Sequence, residues 1–336
     1  MTGRVRAARV LGELRDLRFN QERIVLAIAL AMFVAFSVAL RGFLTPGNII
    51  SLIQNVSILG VLGIGMALTI IGRGIDLSMV ANMVVSVAWL LSLANHGTPL
   101  PAAILFGFGL SLAIGILNGV LIAYVEIPAI FATLAMGTAI YGFGQFVLLD
   151  SDVIFVPKTE AWFKSIGGAS FLDVPSPVLW LAAVGLAGFA FLRFTRPGRF
   201  LFGMGDNPLA ARVTGVPARR MMVLQYVLSS LVAFLAGVIT ATLVNSMNTR
   251  AATSTMIYDV ILVVVIGGVG LSGGKGSIRN VLVGTLLVGT LLNGMTIMDV
   301  PYTYQNIVKS LILLVAIVTD SLLNPRDEQT SQQGDI

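Results

Sequence analysis

The sequence predicts an all-α, polytopic integral membrane protein of about ten transmembrane helices, and three observations lead to this. Of the 336 residues, 56% are hydrophobic and 11% are charged, whereas a soluble domain carries about 25% charged residues. The apolar residues form uncharged runs of roughly 20, the length that a membrane-spanning helix needs. Most of the charged residues lie between these runs. Because backbone polar groups must be satisfied within a bilayer, we expect the runs to be helices.

Ten spans are predicted in chain order, each an uncharged or nearly uncharged run. Their approximate bounds are Ile24–Leu40, Ile50–Ile71, two spans between Asp76 and Glu126 that divide at residues 95–99, Pro128–Leu149, Pro177–Phe194, Met221–Asn245, Met256–Leu271, Val281–Met298 and Tyr302–Leu323.

The chain is expected to consist of one transmembrane domain with two short flanking segments. Residues 1–23 form a basic N-terminal segment, residues 24–323 form the domain, and residues 324–336 form a polar tail that we expect to be disordered. The basic start and first apolar run resemble a signal peptide. However, the run is long and Arg41 follows it in place of a small-residue cleavage site, so we interpret it as a retained first helix.

The distribution of basic residues predicts the orientation. With ten spans, 16 Lys and Arg residues lie on the side of the N-terminus and four on the other side, while Lys309 falls within the last span. Lys and Arg are concentrated in cytoplasmic loops. Both termini are therefore predicted to be cytoplasmic, and the basic residues flank a membrane rather than forming a nucleic-acid surface.

The longest polar interruption, residues 196–220, carries five arginines and is predicted to be cytoplasmic. Within it, Asp206-Asn207-Pro208 combines polar capping residues with a proline suited to the first helical turn. Gly215 and Pro217 then favour a helix end. The pattern predicts a helix of about two turns between two spans. An ordinary connecting loop is the alternative.

Four stretches of the sequence carry a resemblance to a known family. They are Gly74-Ile-Asp-Leu-Ser78, Phe131-Ala-Thr-Leu-Ala-Met-Gly137, Gly203-Met-Gly-Asp-Asn-Pro-Leu-Ala-Ala-Arg-Val-Thr-Gly-Val216 and Gly267-Gly-Val-Gly-Leu-Ser-Gly-Gly274. In this order they resemble permease subunits of bacterial ATP-binding-cassette (ABC) importers of the ribose/simple-sugar type. The resemblance extends over most of the chain, from about residue 63 to residue 314.

The resemblance implies an inner-membrane permease domain that passes a monosaccharide or similar polyol by alternating access, with no cofactor, metal or catalytic residue. It implies ABC ATPase subunits, a periplasmic sugar-binding protein and a second permease, identical or different, as partners. Residues 196–220 would be the coupling loop in contact with the ATPase. The predicted coupling residues are Gly205, Asp206, Asn207, Pro208, Ala210, Ala211, Arg212 and Gly215.

Polar side chains within and beside the spans are candidates for the translocation path, since such residues are costly in lipid and tend to face the bundle interior or water. Amides match sugar hydroxyls as donors and acceptors. Hydrogen bonding between helices is the alternative for each. We also expect Asp259 and Lys309 to be buried, and a pairing between them is one possibility. The path candidates are Asp76, Asn82, Asn118, Gln145 and Asn293.

Three other functions are weighed against this one. An ion-coupled secondary transporter is disfavoured because the spans lack a chain of carboxylates. A branched-chain amino-acid ABC permease remains an alternative. An enzyme is disfavoured because the chain has no Cys and a single His, and Gly268–Gly273 lacks both the acidic partner and the strand–helix context of a dinucleotide site. We expect these glycines to form a tight turn.

Two further features carry weaker predictions. Leu117-Asn-Gly followed by Glu126-Ile-Pro is echoed by Leu292-Asn-Gly followed by Asp299-Val-Pro. In the predicted topology this echo suits an inverted repeat of spans 2–5 and 7–10. The longest external loop, residues 150–176, contains Trp162, and either meets a partner or rests at the membrane interface.

Overall fold

The computed structural model describes residues 2–158 and 160–323, and side chains within residues 21–321. The predicted tail, residues 324–336, lies outside this range. The described residues form thirteen α-helices and four short strands, numbered in chain order. The helices are α1 (Thr2–Ala39), α2 (Pro46–Ile71), α3 (Met79–Asn95), α4 (Leu100–Ala123), α5 (Ala129–Phe143), α6 (Ala161–Gly168), α7 (Ser176–Phe194), α8 (Arg196–Asp206), α9 (Pro208–Val213), α10 (Ala218–Val244), α11 (Met256–Gly267), α12 (Ile278–Ile297) and α13 (Tyr302–Leu323).

The ten predicted spans correspond to ten apolar helices. Within the described residues, eight are long and apolar enough to cross a membrane, and the shorter α3 and α11 complete the set. The chain is therefore a multi-pass, all-α membrane protein, as predicted. The short pair is largely buried among the longer helices, which removes the need for each to cover the full width of a bilayer alone.

Three helix boundaries differ from those predicted. The helix α1 extends toward the N-terminus as far as Thr2. The helix α11 ends at Gly267 rather than near Leu271, because Gly268 adopts a positive φ of 105°, which glycine permits at little steric cost. The helix α5 gives way after Phe143 to a π-helical turn, Gly144–Leu148.

The loops between the helices lie at the two ends of the bundle. They divide between these ends as the distribution of basic residues predicts. At one end Glu126 pairs with Arg219 at 2.8 Å, and Glu22 pairs with Arg279 at 2.8 Å. We call this end, which carries α8, α9 and the turn of residues 268–277, the basic end. At the opposite end, Asn95 donates to the Phe155 carbonyl at 2.9 Å. Each connection lies at the end that ten antiparallel spans require.

The opposite end is closed by a folded segment rather than an irregular loop. Strands β1 (Val153–Phe155) and β4 (Ser246–Asn248) pair antiparallel, and β2 (Ser170–Phe171) with β3 (Val174–Pro175) forms a hairpin. The helix α6 packs on α10, with Phe163 fully buried and Trp162 half exposed. The loop predicted at residues 150–176 is therefore anchored to the bundle.

The helices α2 and α10 lie at the centre and pack closely against their neighbours. Glycines permit this approach, as small residues do between membrane helices. A Cβ at Gly107 would lie 2.8 Å from the Ser86 carbonyl, and one at Gly119 would lie 2.5 Å from Cα of Val223. At these positions the glycines allow neighbouring helices to pack closely.

The helix contacts repeat between the two halves of the chain. The helix α2 packs on α11 and α12, and α10 packs in the same way on α3 and α4. Since α2 ends at the basic end whereas α10 begins there, the halves are inverted, which supports the repeat suggested by the sequence echo. The helix ends within each half also match, because residues with positive φ follow them in equivalent pairs: Arg73 with Asn245, Gly97 with Gly268, and Glu126 with Asp299.

Candidate functional site

A fully buried polar cluster surrounds Asp76, in the connection between α2 and α3. Its Oδ1 accepts hydrogen bonds from the Ser78 backbone N–H at 3.1 Å and the Ser78 hydroxyl at 2.6 Å. Its Oδ2 accepts from the Ser229 hydroxyl of α10 at 2.8 Å. The Asn118 amide of α4 donates to the Ser78 hydroxyl oxygen at 2.7 Å. Asp76 therefore closes the turn before α3 and joins three elements, each residue being fully buried.

A second cluster lies one helical turn further along α3. The Asn82 side-chain amide donates to the Ser111 hydroxyl at 3.0 Å, and the Ser86 hydroxyl donates to the Asn82 side-chain oxygen at 2.7 Å. Ser111 in turn donates to the Ser230 backbone carbonyl of α10 at 2.8 Å. Asn82, Ser86 and Ser111 are each fully buried. Together with the Asp76 cluster they form a polar core between α3, α4 and α10.

The remaining two path candidates lie apart from this core, at the opposite end. Gln145 donates to the Thr249 hydroxyl at 2.6 Å. Asn293 exchanges two amide hydrogen bonds with Asn48, at 2.9 and 3.1 Å. The five candidates are therefore distributed over three places, and all five make the hydrogen bonds within the protein that the alternative interpretation expects. Their role in a path stays a prediction.

The predicted coupling helix exists as α9, preceded by α8. Asn207 caps it, its side-chain oxygen accepting from the Ala210 N–H at 2.9 Å. The helix ends at Val213, just before Gly215, which adopts a φ of 83°. Sequence reasoning missed α8, although Thr195 caps it and Pro197 occupies its first turn. Glycines at positions 198, 203 and 205 had weakened the helical signal.

Of the two alanines of α9 among the predicted coupling residues, Ala210 is exposed and Ala211 is buried. Ala211 is only 5% exposed and packs against the chain itself. Small size at this position therefore serves internal packing and does not create space for a partner. The outward face instead carries Leu209 and Val213, 60% and 90% exposed. Residues four apart lie on one helix face, so these two form an apolar pair at the basic end, with Ala210 exposed beside them.

Gly205 lies at a junction between α8, the end of α2 and the glycine turn before α12. The Gly274 N–H donates to the Ile71 carbonyl at 2.9 Å. A Cβ on Gly205 would overlap both of these backbone atoms, and Gly274, with a φ of 68°, also lies against Asp206. This close approach of backbones links α8 to the central helix α2. The predicted tight turn at residues 268–277 is confirmed.

Asp259 and Lys309 form the ion pair that the sequence left open. The Lys309 Nζ lies 2.9 and 3.0 Å from the two carboxylate oxygens of Asp259, and both side chains are mostly buried. The pair connects α11 with α13, and Lys309 also lies over the ring of Tyr302 at 5.5 Å. Each charge is neutralised by the other, as buried charges require.

These features define a helical, multi-pass membrane protein with a polar core and a capped helix at one end. The family model described as "branched-chain amino acid transport system / permease component" matches residues 48–317. The chain therefore belongs to this family of transport permeases, and the matched region extends from the start of α2 into α13.

Several characterised relatives align over nearly the same length. The ribose import permease protein of Escherichia coli is 33% identical over 300 residues, which cover 88% of this chain and 92% of the relative. The L-arabinose ABC transporter permease protein of Azospirillum brasilense is 33% identical over 306 residues, covering 90% and 87%. The galactofuranose transporter permease protein of Escherichia coli is 31% identical over 275 residues, covering 82% and 80%.

Proposed function

We propose that the chain is the transmembrane subunit of an ATP-driven importer that moves a monosaccharide or similar polyol across the bacterial inner membrane. The observation that carries this proposal is the similarity, over most of the chain, to permeases named for ribose and arabinose. A periplasmic binding protein delivers the sugar, and separate ATPase subunits hydrolyse ATP. A second permease chain, identical or different, completes the membrane part.

The structure suggests where force enters the permease. Leu209 and Val213 form an exposed apolar pair on a capped helix, the type of face that docks into a partner's groove. The pair would seat α9 on the ATPase. Closure of the ATPase would then move α9 and α8 as a rigid unit, and the Gly205 junction would transmit that movement to α2. Arg212 lies beside Arg219 and Arg220 in a surface recess at the C-terminal end of α9. At this position Arg212 would contact the ATPase subunit.

Orientation follows from the same assignment, with the basic end in the cytoplasm. We expect a cysteine at Ser170 to react with a membrane-impermeant thiol reagent applied to the periplasmic side, and a cysteine at Thr214 to remain unlabelled until the membrane is permeabilised. The chain contains no native cysteine, so the labelling background is clean. If only the Thr214 variant were labelled in intact spheroplasts, the orientation would be the opposite of the one proposed.

The branched-chain amino acid named in the family description is the second candidate substrate. Uptake by a strain that lacks this chain, with and without its restored expression, distinguishes the two. We expect restored expression to recover uptake of at least one sugar among D-ribose, L-arabinose and D-galactose, and to leave L-leucine uptake unchanged. Recovery of leucine uptake alone would replace the sugar with an amino acid and leave the permease class intact.

A further inference from the structure

A cavity of about 400 Å³, whose wall is mostly apolar but carries several polar groups, lies between α2, α10, α11 and α12 at the end of the bundle opposite α9. Its volume falls within the range of roughly 300–1,000 Å³ that small-molecule sites occupy. The wall combines apolar side chains with amides, hydroxyls and one carboxylate. The polar members that matter here are Asn48, Ser51, Asn55, Thr240, Asp259 and Asn293.

Asn55 is the least expected of these residues. It lies nine residues after the start of α2, about 14 Å along the axis at 1.5 Å per residue, and its side chain is exposed toward the cavity. It makes no hydrogen bond to another residue among those described. An amide at this depth is costly in lipid, and such residues mark water-filled or substrate-bearing spaces. Both its donor and its acceptor groups are open to a ligand.

The charge of the cavity wall selects for a neutral ligand. Asp259 contributes a carboxylate, but Lys309 neutralises it at 2.9 Å from the side facing α13. A carboxylate has about four acceptor sites, so Asp259 can still accept from hydroxyl groups. No arginine or lysine lines the described wall. A zwitterionic amino acid would leave its carboxylate without a cationic partner, whereas a polyol needs none.

The amide pair at the rim adds hydrogen-bonding capacity. Asn48 and Asn293 hold each other across α2 and α12, and Asn48 also donates to the Phe43 carbonyl at 2.7 Å. Asn293 retains one amide proton and acceptor lone pairs. The hydroxyl of Ser51 donates to the Gly47 carbonyl at 3.0 Å, which leaves its oxygen able to accept. The wall therefore offers both donors and acceptors, and the hydroxyl groups of a polyol need both.

We propose that this cavity binds a neutral polyhydroxy compound, a monosaccharide or sugar alcohol, within a single chain and apart from the Asp76 core. The identification of the ligand class rests on the proposed function. The cavity lies at the end that the proposed orientation exposes to the periplasm, so it would receive the sugar after release from the binding protein. Asn55 and Asp259 would provide its inner contacts and the Asn48–Asn293 pair its outer ones.

Cysteine protection tests the proposal on the purified, full-length chain in lipid. Asn55→Cys and Ser51→Cys place thiols in the cavity, and Ser151→Cys places a matched thiol on an exposed position at the same end. We expect D-ribose, L-arabinose or D-galactose at millimolar concentration to slow alkylation of both cavity cysteines several-fold, and to leave Ser151→Cys unaffected. L-leucine should protect none of them. Two cavity positions are used because either substitution could itself remove a contact to the ligand.

The outcomes separate this proposal from the function on which it rests. If none of the three sugars slows alkylation at either cavity position, or if a sugar slows all three cysteines equally, the cavity does not bind polyols. Uptake of the same sugar by the wild-type importer is measured in parallel. Uptake without protection overturns the cavity site alone, and protection without uptake supports the site while overturning the transport assignment.

Discussion

Replacing Gly205 with valine is expected to abolish transport, whereas the same replacement at Gly203 leaves it nearly intact. A Cβ at Gly205 would overlap the Ile71 carbonyl oxygen and the Gly274 nitrogen, and neither backbone atom can rotate away. A Cβ at Gly203, on the same helix, meets nothing within 4 Å. Overpacking of a filled site costs about 1–3 kcal/mol, and about 3 kcal/mol corresponds to roughly a 100-fold loss of the correctly docked state.

The measurement is sugar uptake in cells, normalised to the amount of each variant in the membrane. Both replacements exchange glycine for the same β-branched residue in α8, so helix propensity affects them similarly. The difference between them isolates the junction. Equal uptake by the two variants would show that the approach of α8 to α2 has no part in coupling.

The double replacement of Leu209 and Val213 by aspartate is expected to prevent the ATPase subunit from binding. The two side chains are 60% and 90% exposed on one face of α9, and burial of such a side chain stabilises a contact by about 1.5–3 kcal/mol. Loss of both, with two carboxylates introduced in their place, should weaken association by at least about 100-fold. Transport should fall with it, while insertion of the spans is unaffected.

Leu172→Asp provides the matched control, because Leu172 is 83% exposed at the opposite end of the molecule. Co-purification of the ATPase with each variant is the measurement. We expect normal recovery with Leu172→Asp and little or none with the double variant. Full recovery of the ATPase with the double variant would reduce α9 to a connector and remove the coupling proposal.

The number and order of spans could be predicted from the sequence because hydrocarbon imposes a simple rule on composition and length. The grouping of loops at two ends also followed from the distribution of arginines and lysines. Short polar signals were equally informative: Asn207 caps α9 through a 2.9 Å hydrogen bond to Ala210, as the Asp-Asn-Pro stretch predicted. These features depend on neighbours in the chain, so they can be read without the tertiary structure.

Contacts between distant segments could not be predicted in the same way. Ala211 was predicted as a coupling residue, but a small residue on a short helix suits internal packing equally well, and here it is buried. The meeting of Gly205 with Gly274 and Ile71 joins three segments that are far apart in sequence. The hydrogen bond from Ser229 to Asp76 likewise joins residues that are 153 positions apart in sequence. These contacts depend on how distant helices pack together, which local sequence patterns do not show.

The cavity illustrates the same limit. Asn293 was singled out as a polar residue within a span, whereas Asn55 was not, although Asn55 is the amide that faces the cavity without a partner among the described residues. Its polarity was visible in the sequence of α2. What the sequence could not show is that α10, α11 and α12 leave a space beside it.

Reconstitution into proteoliposomes tests the central claim most directly. The vesicles contain this chain and its ATPase partner, with the basic end facing the lumen. We predict that they accumulate labelled sugar when ATP and magnesium are enclosed in the lumen and the sugar-loaded binding protein is added outside. Vesicles containing the chain alone should accumulate none under an imposed proton or sodium gradient. Accumulation by the chain alone under such a gradient would contradict this account and identify an ion-coupled carrier.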